Sequence, residues 1–490
     1  GVFFGMIVAV SVGILLVPFF FVLIYKAKGK FNRKRLSGAG LILLAVGTGL
    51  SSCQIGKSYT RPDMPLPARL DTLTQDTASI GDLSWWELYN DTTLQQLIHR
   101  ALTYNKDLKI ASARMNELAA LKRIDFANMF PQATARLNGN RETTNYGGDN
   151  FDADPELSLT ASISWELDLW GNLRWARDHS TAEFLASVEN CRAVKMGLVA
   201  QVAQSYFELM ALDNELAIVR RTLEARREGV RLAEIRFKGG LTSEIVFQQA
   251  KVELAKTATM VPDLERRISL KESEIALLTG DFPYAVNRNV LPEEIQLPDA
   301  LPLGLPSTLL ERRPDIRKAE RELMAAHAEV GLAYTNMFPR LALTATLGAE
   351  SETLRDLLKS PYSYLAGNLL SPLFAMGKNR AALKAKRAAY EGAVAEYEKT
   401  VLTAFKETHD AIINFNKIKD IYESRRQLAE ASRTAVELAQ LQYINGVIGY
   451  LDLLDAQRNY FDAQVSLSNA VCDKQLMIIN LYKALGGGWK

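Results

Sequence analysis

His99, His179, His327 and His409 are scattered along the chain and form neither an HExxH metal pair nor a nucleophile–base pair. They read as solvated or half-buried helix residues. No glycine-rich phosphate loop is present, so no catalytic residue, metal site or cofactor is expected. The three cysteines cannot build a disulfide framework. Cys191 and Cys472 lie in helical patterns, where a small buried or half-buried thiol is the expected role. Cys53 differs. Leu50-Ser51-Ser52-Cys53 closes an apolar run over residues 41–50 behind Arg33-Lys34-Arg35, the pattern of a lipoprotein signal at 36–52. Small residues before a cysteine resemble a bacterial lipobox, which implies that the Cys53 thiol would take a diacylglycerol and that Cys53 would become the new N-terminus after cleavage. At ~0.8 kcal/mol per buried methylene, two or three acyl chains would anchor the chain firmly.

The elements that must carry such an anchored chain begin with residues 157–170. Leu157, Leu159, Ala161, Ile163, Trp165, Leu167 and Leu169 alternate with Ser158, Thr160, Ser162, Ser164, Glu166 and Asp168. This is the period-2 pattern of a strand with one apolar face. At ~3.3 Å per residue it is about 43 Å long, enough to cross an apolar bilayer band when tilted by about 45°. Gly171 ends the alternation, and no proline follows until well past Lys238, so a helix of about 65 residues, or about 97 Å, is expected next. Residues 132–140 alternate as well, and the Gly/Asn/Asp-rich stretch 143–156 reads as the turn of a hairpin. A second helix is expected from about 242 to 278, after Gly239-Gly240.

The second half repeats the first. Asn128-Met129-Phe130-Pro131 recurs as Asn336-Met337-Phe338-Pro339, offset by 208, and Gly240 and Ala250 recur as Gly446 and Ala456, offset by 206. A steady offset means duplication of a helix, hairpin, long helix, helix unit. The expected organisation is therefore a linker at 53–92, one repeat at 93–280 with its hairpin at 132–170 and long helices at 172–278, a proline-rich connector at 281–306, and a second repeat at 307–490. The second repeat's hairpin is expected at 340–374, with strands at 341–347 and about 362–374, and its long helices at 378–486. Both long helices carry heptads: Leu209, Leu212, Leu216, Val219, Leu223, Val230, Ala233 and Phe237, interrupted by Arg226, and Phe415, Ile418, Tyr422, Ala429, Val436, Ala439 and Tyr443. Such helices want partner helices rather than lipid.

The charge is balanced, 58 basic against 56 acidic residues, so nothing points to nucleic acid as a partner. Two hairpins supply only four membrane strands per chain, whereas a lipid-exposed sheet cannot leave edges unpaired and closed barrels need at least about eight strands. A homotrimer would close a 12-stranded β-barrel continuous with a 12-helix α-barrel. The expected fold class is therefore mainly α with a membrane β-barrel, its lumen lined by Ser, Thr, Asn and Glu.

Residues 1–35 run from an apolar stretch at 2–25 into Lys26, Lys28, Lys30, Arg33, Lys34 and Arg35. They resemble the last transmembrane helix of a resistance-nodulation-division (RND) inner-membrane pump, which suggests a fusion or a reading-frame remnant. Residues 1–52 are expected to be absent from the mature protein.

From Cys53 to Lys490 the chain resembles outer-membrane efflux factors of the TolC type, specifically the lipid-anchored OprM-like branch. The resemblance rests on motifs met in order: Trp85-Trp86-Glu87; Trp165-Glu166-Leu167-Asp168-Leu169-Trp170-Gly171; Arg236-Phe237 with Gly240-Leu241-Thr242-Ser243; Arg312-Arg313-Pro314-Asp315-Ile316-Arg317; Tyr450-Leu451-Asp452 with Asp455-Ala456-Gln457-Arg458; and the ending Leu481 to Trp489. It implies a homotrimeric exit duct, not an enzyme, that docks onto a periplasmic adaptor protein and an RND inner-membrane pump and carries drugs, metals or other small solutes. Gln54, following the cysteine, implies by the same kind of resemblance sorting to the bacterial outer membrane and its lipid, with the helices extending into the periplasm. A lipid-anchored coiled-coil adaptor and a type I secretion exit channel are the alternatives. The membrane-length strand speaks against the adaptor.

The gate of such a duct is expected where the second repeat reverses, between Tyr443 and Arg458. Gly446 and Gly449 break the helix there, and Leu451, Asp455 and Arg458 follow at i, i+4 and i+7, on one face. Repeated around a threefold axis, Leu451 makes an apolar ring and Asp455 a ring of like charges. Such a ring closes only if Arg458, or hydrogen bonding by Tyr443, offsets the repulsion. In OprM-like channels the matching positions resemble the constriction that opens on contact with adaptor and pump. The first repeat has Ile245, Gln249 and Val252 at the corresponding places, without charge.

Overall fold

A computed structural model describes residues 54–65, 84–88, 91–144, 152–289 and 306–488. The pump-like helix, the lipoprotein signal and Cys53 lie outside the described residues, as do parts of the linker and of the proline-rich connector. In chain order the elements are α1 (Trp85–Leu88), α2 (Thr92–Tyr104), α3 (Lys106–Ala127), β1 (Gln132–Thr144), β2 (Asp152–Leu167), α4 (Asn172–Lys238), α5 (Glu244–Leu278), α6 (Pro306–Arg312), α7 (Pro314–Thr335), β3 (Arg340–Ser351), β4 (Pro361–Leu370), α8 (Lys378–Ile444) and α9 (Tyr450–Ala484), with a short 3-10 turn at Leu357–Lys359. The duplication is visible in element length. α4 and α8 have 67 residues each, α5 and α9 have 35, and α3 and α7 have 22. At ~1.5 Å per residue, α4 and α8 are each about 100 Å long. Among the described residues no helix is long and apolar enough to cross a membrane.

The chain divides into two compact units. One holds residues up to Thr60, Ala119–Glu183 and Leu323–Ala393; the other holds Arg61–Leu118, Phe184–Glu322 and Val394–Lys490. The first contains a four-stranded antiparallel sheet in the order β1-β2-β3-β4. Ala161 faces Ala135 on one side and Leu347 on the other, and Leu347 faces Ser363. β2 differs from the strand expected at 157–169. It begins at Asp152, because residues 152–156 of the expected turn pair with 140–144 of β1, and it ends at Leu167. The early end has a cause in Asp168, whose carboxylate leaves the sheet to accept the Leu173 and Arg174 amides at 3.0 and 3.1 Å and the Arg174 Nε at 2.9 Å. It thereby caps the start of α4. Likewise β4 stops at Leu370, short of the expected 374 and before Pro372, and β3 runs on to Ser351. The helix expected from 242 starts at Glu244, because Ser243 is extended. Phe374 stands where the second repeat would need its own Asp168. Asp168→Ala is therefore expected to cost ~1–2 kcal/mol and to lower the apparent Tm of the detergent-solubilised protein by about 1–2 °C, while Asp168→Asn keeps most of the cap. Equal melting of the alanine variant and the parent chain would contradict the capping role.

The second unit is helical. Leu94 and Ile98 of α2, Tyr206, Leu209 and Val219 of α4, Leu264 and Ile275 of α5, Phe415 of α8, and Ile479 and Leu481 of α9 share one buried cluster. The heptad seams supply it. Leu212, Leu216, Leu223 and Ala233 are buried, as are Ile418, Ala429 and Ala439, whereas Phe237 at the end of the seam is 36% exposed. Arg226, the apparent interruption, is itself buried. Cys472 lies in the same core, where burial pushes its thiol up to about 12.

Candidate functional site

Rung by rung, the strand pairing divides the sheet into two chemically opposite faces. Ala135, Ala161 and Leu347 share a rung, as do Leu137, Leu159 and Ala349, and Trp165, Leu343 and Gly367. The alternate rungs are polar: Thr134, Ser162, Thr346 and Tyr364 on one, and Arg136, Thr160, Gly348 and Tyr362 on the next. Ser162 Oγ and Thr346 Oγ1 lie 2.8 Å apart. Exposure runs opposite to that of a soluble sheet. Leu159, Ile163 and Trp165 are 40–53% exposed and Leu347 68%, while Ser158, Thr160, Ser162, Thr344 and Thr346 are only half-exposed. A soluble protein would bury the apolar face against a second layer.

The turns of the second unit are built alike in the two repeats. Gly240 and Gly446 take φ of +71° and +74°. The next residue's amide reaches back to close each helix, Leu241 to Arg236 O at 2.8 Å and Val447 to Gln442 O at 2.9 Å. After the second turn the Gly449 amide donates to the Asp452 carboxylate at 3.0 Å and starts α9.

Around this turn, Leu451 is 59% exposed, and Asp455 is exposed and accepts from Asn459 Nδ2 at 3.3 Å. Arg458 is exposed as well but turns its guanidinium to Glu253 on α5. Tyr443 is buried against Ala439 and Leu453. Its ring meets Tyr450 edge-on at 5.8 Å and carries the Arg236 guanidinium at 4.7 Å, a cation–π contact. Tyr443 is thus engaged through its ring face.

Glu253 escaped the sequence reading. Its counterpart under the 206 offset is the uncharged Asn459. The available signal was Arg226 in an apolar seam, because a buried guanidinium needs a partner. Arg226 donates to Gln457 Oε1 of α9. The Arg458 guanidinium, helped by Lys256 and opposed by burial, holds the Glu253 carboxyl below the usual carboxylate range. Burial pulls Arg226 below its ordinary value, and Glu253 opposes that pull. Arg226 Nε and Gln249 Oε1 remain buried without a hydrogen-bond partner among the described residues.

Among the described residues no His/Cys/Asp/Glu group could hold a metal ion. His99 and His409 are exposed. His327 sits among the Tyr59, Trp175 and Tyr390 rings at 5.6–5.9 Å.

The family described as "Outer membrane efflux protein" matches residues 97–281 and 305–487. Outer membrane protein OprJ of Pseudomonas aeruginosa is 32% identical over 473 residues, covering 93% of this chain and 97% of OprJ. Cation efflux system protein CusC of Escherichia coli is 28% identical over 462 residues, covering 93% of this chain and 100% of CusC. The solved structure of the outer-membrane channel OprN superposes with a TM-score of 0.82 at 30% identity, covering 89% of this chain and 100% of OprN.

Proposed function

We propose, from the premise that the chain belongs to the outer membrane efflux protein family, that it is the outer-membrane exit duct of a tripartite efflux pump, a passive conduit for small solutes. The observation that carries this reading is that along β2 and β3, in the middle of the sheet, Leu159, Ile163, Trp165 and Leu347 are exposed while Thr160, Ser162, Thr344 and Thr346 are half-covered. Lipid rather than a second protein layer satisfies an apolar face so exposed. Among the described residues the pairing runs through β1-β2-β3-β4, and open edges are not tolerated in hydrocarbon. Three copies joining β4 to β1 would close a 12-stranded barrel, with a ring of 12 long helices continuing it into the periplasm. Cys53 would carry the lipid anchor. Tyr443, Leu451, Asp455 and Arg458 would form the gate, which contact with a periplasmic adaptor and an RND inner-membrane pump opens. That pump supplies the energy.

Native mass spectrometry of the detergent-extracted protein is expected to give three chains. A stable monomer that conducts ions in bilayers would overturn the assembly. Radiolabelled palmitate is expected to enter the parent chain and not Cys53→Ala, and equal labelling would show that the thiol is not the acylation site.

A further inference from the structure

Barrels place girdles of aromatic residues at the lipid interface, and β4 carries two tyrosines in Tyr362-Ser363-Tyr364-Leu365. The register contradicts a place in such a girdle. Leu365 faces Ala345 and Ser363 faces Leu347, both on the apolar side, whereas Tyr364 faces Thr346 and Tyr362 faces Gly348 on the polar side. Both tyrosines therefore belong to the face that lines the duct, an inference that rests on the exit-duct reading.

Their surroundings are those of a preformed stacking surface. A Cβ added at Gly348 would lie 2.6 Å from Tyr362 Cζ and 2.8 Å from its Oη, so the hydroxyl end of the Tyr362 ring occupies the space over bare backbone. That end of the ring is spent on the glycine, as in the aromatic cover of a strand glycine. The side chain still remains 39% exposed. Tyr364, one polar rung away, is 59% exposed among the hydroxyls of Thr346, Ser162 and Thr134. A tyrosine has few torsions to freeze, and Tyr362 already rests against Gly348, so a flat solute pays little ordering cost to lie on these rings. The aromatic faces are electron-rich and supply the attraction for a cation, while the charges of Glu350, on the polar rung beyond Gly348, and of Arg136, on the Tyr362 rung, oppose each other.

We propose that Tyr364 and Tyr362 form a transient binding rung for planar aromatic cations on the duct wall, repeated in each copy of the chain. Transport through the duct is then not uniform along its length. Flat cations dwell at this rung, and non-aromatic solutes pass it.

Ethidium titrated against the purified full chain in detergent, read by fluorescence, tests this. Affinity is expected to fall by about fivefold in Tyr364→Ser, to persist in Tyr364→Phe, and to be unchanged in Leu365→Ser on the opposite face. A membrane-impermeant maleimide is expected to label Tyr364→Cys above the parent background in proteoliposomes, and Leu365→Cys not. The reverse labelling would overturn the exit-duct reading of the sheet, and this inference with it. The expected labelling with no ethidium binding by the parent chain, or with equal affinity in Tyr364→Ser, would overturn the aromatic rung alone.

Discussion

An Ile163→Arg chain is expected to be lost from the outer membrane, while a Ser162→Arg chain, changed one residue away, inserts and conducts. Ile163 is 53% exposed, pairs with Ala133 and Ala345, and lies within the apolar band. A guanidinium on the lipid face of a barrel costs about 2–4 kcal/mol, or about 6–12 kcal/mol over three copies. That is comparable with the whole stability of an ordinary domain, about 5–15 kcal/mol. Ser162 points the other way, to Thr346 at 2.8 Å. Arginine there loses one neutral hydrogen bond, ~0.5–1.5 kcal/mol, and places its charge in water. Membrane fractionation and heat-modifiable migration of the two variants decide the matter. Equal recovery of both would refute the assignment of faces.

Glu253→Ala is expected to open the duct, and acid is expected to do the same to the parent chain. Glu253 is almost completely buried and is bound by Arg458, whose side chain stays 46% exposed. Solvent around Arg458 argues for the low end of a charge-assisted hydrogen bond, ~1.5 kcal/mol per chain. If only the closed arrangement makes the bond, three copies sum to ~4.5 kcal/mol, which shifts the open–closed balance by about three orders of magnitude. The sign of the pH effect follows from Glu253. Its carboxyl is held below the ordinary value of 4.5, so its contribution is complete above about pH 4.5 and is lost as the pH falls through the depressed folded value. Single-channel conductance in planar bilayers is therefore expected to rise below pH 4.5 in the parent chain, and Glu253→Ala is expected to conduct at the high level already at neutral pH. The Asp455→Ala, Arg458→Ala double variant is expected to raise conductance and sensitivity to vancomycin, and Gln249→Ala to change neither. Unchanged conductance in both Glu253→Ala and the double variant would remove the gate from this turn.

Periodicity made the long elements legible. Alternation over residues 157–167 marks a strand because a pleated chain can show one face to lipid only at period 2, and the heptads of α4 and α8 mark helices for the same geometric reason. The duplication was equally readable, since matched motifs keep their offset whatever the chain folds into. The beginnings and ends of elements were less so. β2 stops at Leu167 because Asp168 has a better use at the helix start, and nothing in an alternating pattern reports which polar residue will leave it. The residues proposed as a gate stand where glycines break a helix, because the backbone advertises its own reversals. Pairing across the chain was decided by the tertiary structure alone. Glu253 and Arg458 are 205 positions apart, and only the packing of α5 beside α9 joins them. Register likewise put Tyr362 and Tyr364 on the polar face of the sheet with Thr346 and Gly348, because a one-residue shift exchanges the faces of a strand, and no local pattern records its neighbour's register.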